Sequence, residues 1–273
     1  MKRSICTYSA IPVRASNSEA TEMVTQILFG ETYEVLEVEG RWAKIRMQTD
    51  GYEGWIDSKL VTDIAEEEID RWNRAEMYIL PEAVTFVQKK YGDDGMPLNR
   101  PIFLTQGSEI HGLRKTEIPY EGSFLQIFNL NGDFWGIEEK PSDDANELDP
   151  VASAMHLMGA PYLWGGRTVM GIDCSGLVQI AFKVCGKQLP RDASQMINLG
   201  EEIDIANAQR NDVAFFKNDK GRICHVGICR GEGTIVHSSG MVRIDTLDNQ
   251  GIFNHERGIY THQLACIKRM NWE

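Results

Sequence analysis

The sequence places a cysteine at the predicted start of a helix, a position where a thiol can act as a nucleophile. Asp173 is a good N-cap for a helix over residues 175–185, because its carboxylate can accept the free amides of the first turn, and Gly186 is a good C-terminal stop. Cys174 then lies in the first turn, where the helix dipole favours a thiolate and lowers the pKa of the thiol. From position alone, a nucleophile and a cysteine that merely begins an apolar face are equally good interpretations.

A base for this cysteine has to come from a distant part of the chain. Residues 224–230 and 234–238 flank a Gly-Glu-Gly turn and are predicted to form a β-hairpin. If the turn centres on Glu232, residue 237 pairs with residue 227, and His225 and His237 project from one face, ~7–8 Å apart. His237 can then orient His225, as a third triad member orients a base. The other four histidines are interpreted as structural polar residues: His111, His156, His255 and His262.

The six cysteines form no CxxC pair, which argues against a disulfide scaffold or a structural zinc site. The five besides Cys174 are predicted to be small buried apolar residues. Cys224 is assigned to the core, because strand alternation turns it away from the face of His225. The sequence calls for no cofactor and no metal.

Composition limits what the protein binds and where it resides. The chain has 28 Lys and Arg against 40 Asp and Glu, and a net charge of −12 argues against nucleic-acid binding. No stretch approaches the ~20 apolar residues that span a bilayer. Because no apolar run follows Lys2 and Arg3, no signal peptide is predicted. The sequence as given therefore indicates a cytoplasmic protein, expected to be a monomer, with earlier export left open.

Pattern changes along the chain predict four regions and an α+β fold class. Short alternating runs separated by glycines predict a small β-barrel over residues 1–62, and an acidic segment over 63–75 predicts a helical connector. Further short strands predict a second barrel over 76–140. After the polar linker 140–144, helices followed by strands over 146–273 predict a single α+β domain.

A weak internal repeat supports two similar barrels. Residues 40–45 (GRWAKI) and 51–56 (GYEGWI) parallel residues 122–127 (GSFLQI) and 132–137 (GDFWGI). Two tandem barrels of the same type would produce this pattern. Chance similarity between two glycine-punctuated strand pairs is the alternative.

Five ordered motifs resemble those of the NlpC-type cell-wall peptidases: residues 161–166 (PYLWGG), 173–178 (DCSGLV), 189–192 (LPRD), 211–216 (NDVAFF) and 225–228 (HVGI). The resemblance covers about residues 150–240 and implies a papain-like fold. It also implies that Cys174 is the nucleophile, His225 the base and His237 the third polar residue. It places Tyr162 beside the thiol, and in the binding cleft three further residues: Asp173, Ser175 and Asp192.

The front of the chain is similar to the leading SH3-like domain of γ-D-glutamyl-L-diamino acid endopeptidases of the dipeptidyl-peptidase VI type. The similar segments are residues 13–16, 22–31 and 50–57. In that subfamily the first barrel closes one end of the cleft, and an acidic residue and a tyrosine bind the free amine of the substrate's L-Ala. Carried over, these residues are Glu22 and Tyr52. The alternative is that Glu22 is a surface charge and Tyr52 a strand core residue.

The resemblance implies hydrolysis of L-Ala-γ-D-Glu-diamino acid peptides released from peptidoglycan, which is a recycling activity. A second hypothesis keeps the cysteine chemistry but cleaves or transfers another amide. A third is a non-catalytic module that binds wall peptides. The sequence leaves open whether the third residue is diaminopimelate or lysine, and what the second barrel does.

Overall fold

The computed structural model describes residues 2–90, 97–117, 124–130, 133–137 and 148–270. The chain divides into two compact units, Met1–Ala145 and Asn146–Glu273. The predicted linker 140–144, together with residues 122, 123 and 132 of the repeat, lies outside the described residues. Within the described ranges, no helix is long and apolar enough to cross a bilayer.

The first unit begins with a six-stranded antiparallel sheet in the order β1-β4-β5-β6-β2-β3. Gly40 and Gly51 have positive φ in the turns on either side of β5, where glycine avoids the cost of a left-handed backbone. The strands are β1 (Lys2–Ile5), β2 (Ala10–Arg14), β3 (Met23–Leu28), β4 (Thr32–Glu39), β5 (Trp42–Met47) and β6 (Glu53–Asp57), followed by a 3₁₀ turn at Ser58–Leu60.

A helix and a second sheet complete this unit. Helix α1 (Glu66–Arg74) starts with three glutamates and ends near two arginines, which suits the helix dipole, and buries Ile69 and Trp72. The second sheet is antiparallel in the order β11-β12-β13-β8-β9, and a separate pair joins β10 to β7. The strands are β7 (Met77–Ile79), β8 (Val84–Lys90), β9 (Pro97–Thr105), β10 (Glu109–His111), β11 (Arg114–Glu117), β12 (Phe124–Leu130) and β13 (Asp133–Ile137).

The predicted repeat corresponds to two adjacent antiparallel strand pairs, β5 with β6 and β12 with β13. The two sheets share one core, because Phe29 packs with Trp72 of α1 and with Phe128 and Trp135 of the second sheet. The indole N–H of Trp72 also donates to the carbonyl of Gly30 at 3.1 Å. The two sheets of this unit therefore share buried contacts rather than having separate cores.

The second unit places helices before strands, as the sequence predicted. Its helices are α2 (Pro150–Met155), α3 (Cys174–Val184) and the short α4 (Ala193–Met196). Every residue of α3 is buried. A two-stranded ribbon, β14 (Arg167–Thr168) and β15 (Gly171–Ile172), leads into α3.

The main sheet of this unit is antiparallel in the order β16-β22-β17-β18-β19-β20-β21. Strand β21 also pairs with β22, so six of the strands close into a barrel. The strands are β16 (Glu201–Ile203), β17 (Val213–Lys217), β18 (Ile223–Gly231), β19 (Thr234–Ser239), β20 (Met241–Leu247), β21 (Gly251–Asn254) and β22 (Ile259–Arg269), with a 3₁₀ turn at Ile205–Asn207.

The cysteine predictions were partly wrong. All six cysteines are free; Cys6 and Cys229 are buried, Cys185 and Cys266 are half-buried, and Cys224 is exposed. The assignment of Cys224 to the core fails because of a β-bulge. Phe216 pairs with His225, but the next pair is Lys217 with Ile223, so Cys224 is the extra, unpaired residue and faces solvent.

Candidate active site

The loop before α3 is held by a buried ion pair that fixes the start of the helix. Asp173 is the N-cap, and its Oδ1 accepts from the backbone N–H of Gly176 at 2.7 Å. Arg191 donates to both oxygens of this carboxylate, at 3.1 and 2.6 Å, and to Oγ of Ser175 at 2.7 Å. Gly165 N–H donates to Oδ2 of Asp173 at 2.8 Å. The carboxylate of Asp173 is thus engaged on both oxygens, which holds the first turn of α3 rigidly.

Cys174 lies at the first position of α3, as predicted, but the environment of its thiol is drier than the sequence suggested. Burial raises the pKa of the Cys174 thiol to about 12, and nearby Asp173 adds to this rise. The backbone N–H groups of Val226 and Ser175 point to the sulfur and oppose the shift. The contact with Val226 puts the thiol beside His225 of β18. The resting cysteine is therefore a neutral thiol that needs a base to become a nucleophile.

The predicted hairpin register is confirmed, since Gly227 pairs with His237 across β18 and β19. Nε2 of His225 lies 2.8 Å from Nδ1 of His237, within hydrogen-bonding distance. Gly227 permits this approach, because a Cβ there would lie 2.9 Å from Cβ of His237 and from the carbonyl of Val236. Two imidazoles are thereby aligned on the strands next to Val226, whose backbone N–H points to the thiol.

The hydrogen bonds determine the tautomers of both histidines. Nε2 of His237 lies 3.0 Å from Oδ2 of Asp245, and Arg243 also donates to this carboxylate at 2.9 Å. Burial alone would raise the pKa of Asp245, but the bonds from His237 and Arg243 outweigh it and lower the pKa. An ionised carboxylate only accepts, so His237 carries its proton on Nε2 and presents the Nδ1 lone pair. His225 must then donate from Nε2, which leaves its Nδ1 lone pair available as a base.

His262 of β22 lies against His225, whereas the sequence predicts a structural polar residue at this position. The two rings stack with centroids 4.0 Å apart and planes 22° apart. Burial, followed by the proximity of His262 and His237, lowers the pKa of His225 well below its usual value. Burial and His237 likewise lower the pKa of His262 to about 4, against an opposing effect of Asp245. Both rings are neutral at pH 7, the form in which an imidazole can accept a proton.

Tyr162 flanks the cysteine, on a segment fixed from two sides. Its backbone N–H donates to the carbonyl of Gly240 at 2.9 Å, and it forms an isolated bridge with Ile172. The side chain is 37% exposed. Burial, then the nearby Cys174 and Asp173, raises the pKa of Tyr162 to about 12. A neutral phenol partly open to solvent next to the thiol can donate a hydrogen bond to a substrate.

The remaining residues selected from the sequence are dispersed. Ser175 is buried beside Arg191, and half-buried Asp192 precedes α4 without capping that helix through its side chain. In the first unit, Glu22 is exposed just before β3. Tyr52 is half-buried before β6 and packs against the core of the first sheet. The binding roles of these residues stay predictions.

Sequence reasoning missed three side chains of this site: Arg191, Asp245 and His262. Arg191 lies inside the LPRD motif, and its membership of that motif was the available signal for a role in the site. Asp245 follows His237 by eight residues and lies on β20, the strand that pairs with β19. Predicting their contact would have required the register of this second hairpin. His262 lies on β22, which pairs with β17 beside β18, and no local pattern indicates this long-range pairing.

Taken together, an α+β fold with a buried cysteine at a helix start, facing aligned histidines on a sheet, defines a papain-like cysteine hydrolase. Residues 159–260 match the NlpC/P60 family, and residues 13–60 match the bacterial dipeptidyl-peptidase Sh3 domain. Residues 159–260 accordingly form an NlpC/P60 cysteine peptidase domain, and an SH3-like domain precedes it in the chain.

Two relatives align with this chain over most of its length. The chain is 26% identical over 232 residues to a gamma-D-glutamyl-L-lysine dipeptidyl-peptidase from Bacillus cereus (strain ATCC 10987 / NRS 248), covering 81% of this chain and 68% of the relative. It is 25% identical over 254 residues to a protein of the same name from Bacillus subtilis (strain 168), covering 90% and 80%. A gamma-DL-glutamyl hydrolase from B. subtilis (strain 168) is 30% identical over 163 residues, covering 58% and 39%.

A solved structure has the same fold over its whole length. The crystal structure of an NlpC/P60 family protein from B. cereus ATCC 10987 superposes with a TM-score of 0.79 at 19% identity, covering 98% of this chain and 99% of that one. The similarity in fold therefore extends over both units, and not only over the peptidase domain.

Proposed function

We propose that this protein hydrolyses the amide bond between γ-D-Glu and the diamino acid of peptidoglycan-derived peptides that carry a free N-terminal L-Ala. The observation that carries the proposal is the hydrogen-bonded row of His225, His237 and Asp245, on the strands where Val226 contacts Cys174. The names of the two dipeptidyl-peptidase relatives support the choice of bond. Those names specify L-lysine at the third position, and meso-diaminopimelate is the alternative to test beside it.

The proposed reaction uses neutral groups at rest. Nδ1 of His225 takes the proton of Cys174 as the sulfur attacks the γ-carbonyl, which gives a tetrahedral intermediate and then a thioester. The protonated imidazole returns this proton to the departing amine. His225 next activates a water molecule that hydrolyses the thioester. His237 and Asp245 keep the proton on Nε2 of His225 and stabilise the imidazolium that forms in both halves of the reaction.

We assign substrate contacts to both parts of the chain. Tyr162 is proposed to donate to the substrate carbonyl region, and Asp173, Ser175 and Asp192 to shape the binding cleft. Glu22 and Tyr52 are proposed to bind the free amine of L-Ala, because a carboxylate and an ammonium form a strong charge-assisted hydrogen bond. The match of residues 13–60 to the dipeptidyl-peptidase Sh3 domain supports this assignment. An N-acetylated peptide should accordingly be a poor substrate.

The relative named gamma-DL-glutamyl hydrolase favours one alternative. In this alternative, the same cysteine cleaves a γ-glutamyl amide that is not followed by a diamino acid. This chain covers only 39% of that relative, so we rank it second. A γ-linked glutamate oligomer in the same assay distinguishes the two substrates.

The test is cleavage of L-Ala-γ-D-Glu-L-Lys and of its meso-diaminopimelate counterpart, followed by mass spectrometry. We expect the wild type to release L-Ala-D-Glu and Cys174→Ala to release none. Cys224→Ala is the matched control, since it removes an exposed thiol on β18 and should leave the rate unchanged. Equal cleavage by Cys174→Ala would refute the assigned nucleophile, and cleavage of the glutamate oligomer alone would select the alternative.

A further inference from the structure

Three imidazoles converge behind the candidate nucleophile. One ring nitrogen from each of His225, His237 and His262 lies within 4.8 Å of the other two. We propose that these three residues bind a divalent transition-metal ion, with Zn²⁺ as the representative, and that the bound ion switches the enzyme off. The binding itself is independent of the function proposed above, whereas the inhibition rests on it.

The surroundings of two of these rings already match those of metal ligands. A metal-bound histidine normally donates its second N–H to a carboxylate or another oxygen. His237 donates from Nε2 to Asp245, and this leaves Nδ1 for a metal. Nδ1 of His262 lies 2.9 Å from Oγ1 of Thr261, whose own hydroxyl donates to the carbonyl of Ile252. Oγ1 of Thr261 therefore accepts from His262, and Nε2 of His262 remains free for a metal.

The distances require a small adjustment. Nε2 of His225 and Nδ1 of His237 are 2.8 Å apart and share a proton. Two nitrogens in a tetrahedral Zn²⁺ site, with bonds of about 2.0–2.1 Å, lie roughly 3.3 Å apart. The pair must separate by about half an ångström, as the ion replaces the shared proton. His262 must turn out of its stack on His225, and it is the half-buried ring of the three.

An open groove gives an ion access from the side of His262. The groove has a volume of about 750 Å³ and is lined by His262 and Tyr260 of β22 and by one residue from each of three neighbouring segments: Lys217, Cys224 and Gln250. Because His225 and His237 are buried, His262 is the ligand that an arriving ion would meet first. Metal capture then needs rotation of one ring rather than opening of the barrel.

The bound ion would stop catalysis by reversing a tautomer. A metal on Nε2 of His225 displaces the proton there, and a neutral ring then carries its proton on Nδ1. Nδ1 is the nitrogen that accepts the proton of Cys174, so His225 can no longer act as the base. No proton is released from His225 overall, since it moves from one ring nitrogen to the other.

The binding experiment is titration of ZnCl₂ into full-length Cys174→Ala protein, followed by calorimetry, so that the thiol cannot contribute a ligand. We expect one ion per chain. Adding His262→Gln should weaken binding at least tenfold. Adding His255→Gln, which changes an exposed histidine that lies near Thr246, should leave binding unchanged. Equal affinity in the two double variants, or loss of Zn²⁺ binding on going from wild type to Cys174→Ala, would overturn the three-histidine site.

Two further measurements keep the outcome clear. If His262→Gln disturbs the fold, ¹⁵N spectra of the histidines in Cys174→Ala decide. Zn²⁺ should shift at least one nitrogen in each of three rings, and both nitrogens in His225, and no shift would refute the site. Zn²⁺ should also inhibit peptide cleavage by the wild type at least tenfold, reversibly with EDTA. Binding without inhibition would overturn the regulatory part, and an inactive wild type that still binds Zn²⁺ would count against the proposed function alone.

Discussion

Asp245 is the residue whose role in the site is best defined by hydrogen bonding alone. It contacts neither the thiol nor His225 directly, but it fixes the proton of His237 and thereby that of His225. We expect Asp245→Asn to lower kcat/KM by about 10- to 100-fold, less than the ~10⁴-fold loss seen where a carboxylate contacts the base itself. The reason is that an amide can donate to Nε2 of His237 and invert the chain of tautomers. Steady-state kinetics on the tripeptide measures this.

The control for this prediction is Glu256→Gln, which removes an exposed acid that also accepts from Arg243, at 3.0 Å. Its kcat/KM should stay within about twofold of wild type, and Asp245→Glu should recover part of the lost activity, because it restores an acceptor-only group. A loss in Asp245→Asn that appears only in KM, with kcat unchanged, would assign Asp245 to binding instead.

His262 should set the acidic limit of activity through His225. Burial and the proximity of His262 and His237 lower the pKa of His225, so the base stays neutral, and active, below the ordinary imidazole pKa of about 6.5. Replacing His262 with Phe keeps the ring and its burial but removes a positive charge that forms at low pH. The pKa of His225 should then rise, and the acidic limb of kcat/KM should move to higher pH.

This prediction is checked by pH profiles of wild type, His262→Phe and His255→Gln, each in EDTA to exclude metal effects. His255 is exposed and lies outside the cluster, so its variant should retain the wild-type profile. An acidic limb that moves to lower pH in His262→Phe would contradict the assigned direction.

The site residues that could be predicted from the sequence are those marked by a local sequence pattern. Cys174 follows an N-cap, and His225 and His237 flank a short glycine turn whose register can be counted. The direction of the pKa shift of Cys174 could not be predicted from the sequence. The helix start lowers this pKa, but burial raises it by a larger amount, and burial depends on the packing of the whole α3 helix. Asp245 comes from the next hairpin, β19 with β20, and His262 from β22, which reaches His225 through its long-range pairing with β17.

At the scale of elements, the ion pair between the loop before α4 and the start of α3 should contribute strongly to the free energy of unfolding. Arg191 is only 1% exposed and bonds Asp173 and Ser175. Arg191→Ala leaves the Asp173 carboxylate buried without its cationic partner, which typically costs about 3–5 kcal/mol. Urea unfolding should show this loss. Arg210→Ala removes an exposed ion pair with Asp149 and should cost no more than about 1 kcal/mol.

A destabilisation by Arg191→Ala no larger than that of Arg210→Ala would show that water or another donor replaces the guanidinium. The helix boundaries illustrate why this pair was missed. Asp173 and Gly186 predicted α3 to within a residue, since caps are local signals. The partner of the cap lies 18 residues away, and its burial depends on how α4 packs.

Across the whole chain, sequence patterns distinguished the glycine-punctuated strands from the helices and strands that follow. They did not predict that the two sheets of the first unit share a core. Local patterns predict each strand pair, whereas contacts of Phe29 with Phe128 and Trp135 join residues about 100 positions apart. Phe29 directly follows β3, and the alternation of apolar and polar residues in that strand does not indicate that Phe29 contacts another sheet. The structure therefore makes cooperativity between the two sheets a testable property.

Phe29→Ala should weaken both sheets of the first unit together. The side chain is fully buried, with ring centroids 5.9 Å from Phe128 and 5.7 Å from Trp135, and its truncation should cost about 3–5 kcal/mol. Amide hydrogen exchange should then show lower protection in β5 and β12 alike, while α3 keeps its protection. Phe86→Ala is the control, since Phe86 is 51% exposed and its loss should change protection little. Faster exchange confined to the first sheet would mean that the shared core contributes contacts without coupling the stability of the two sheets.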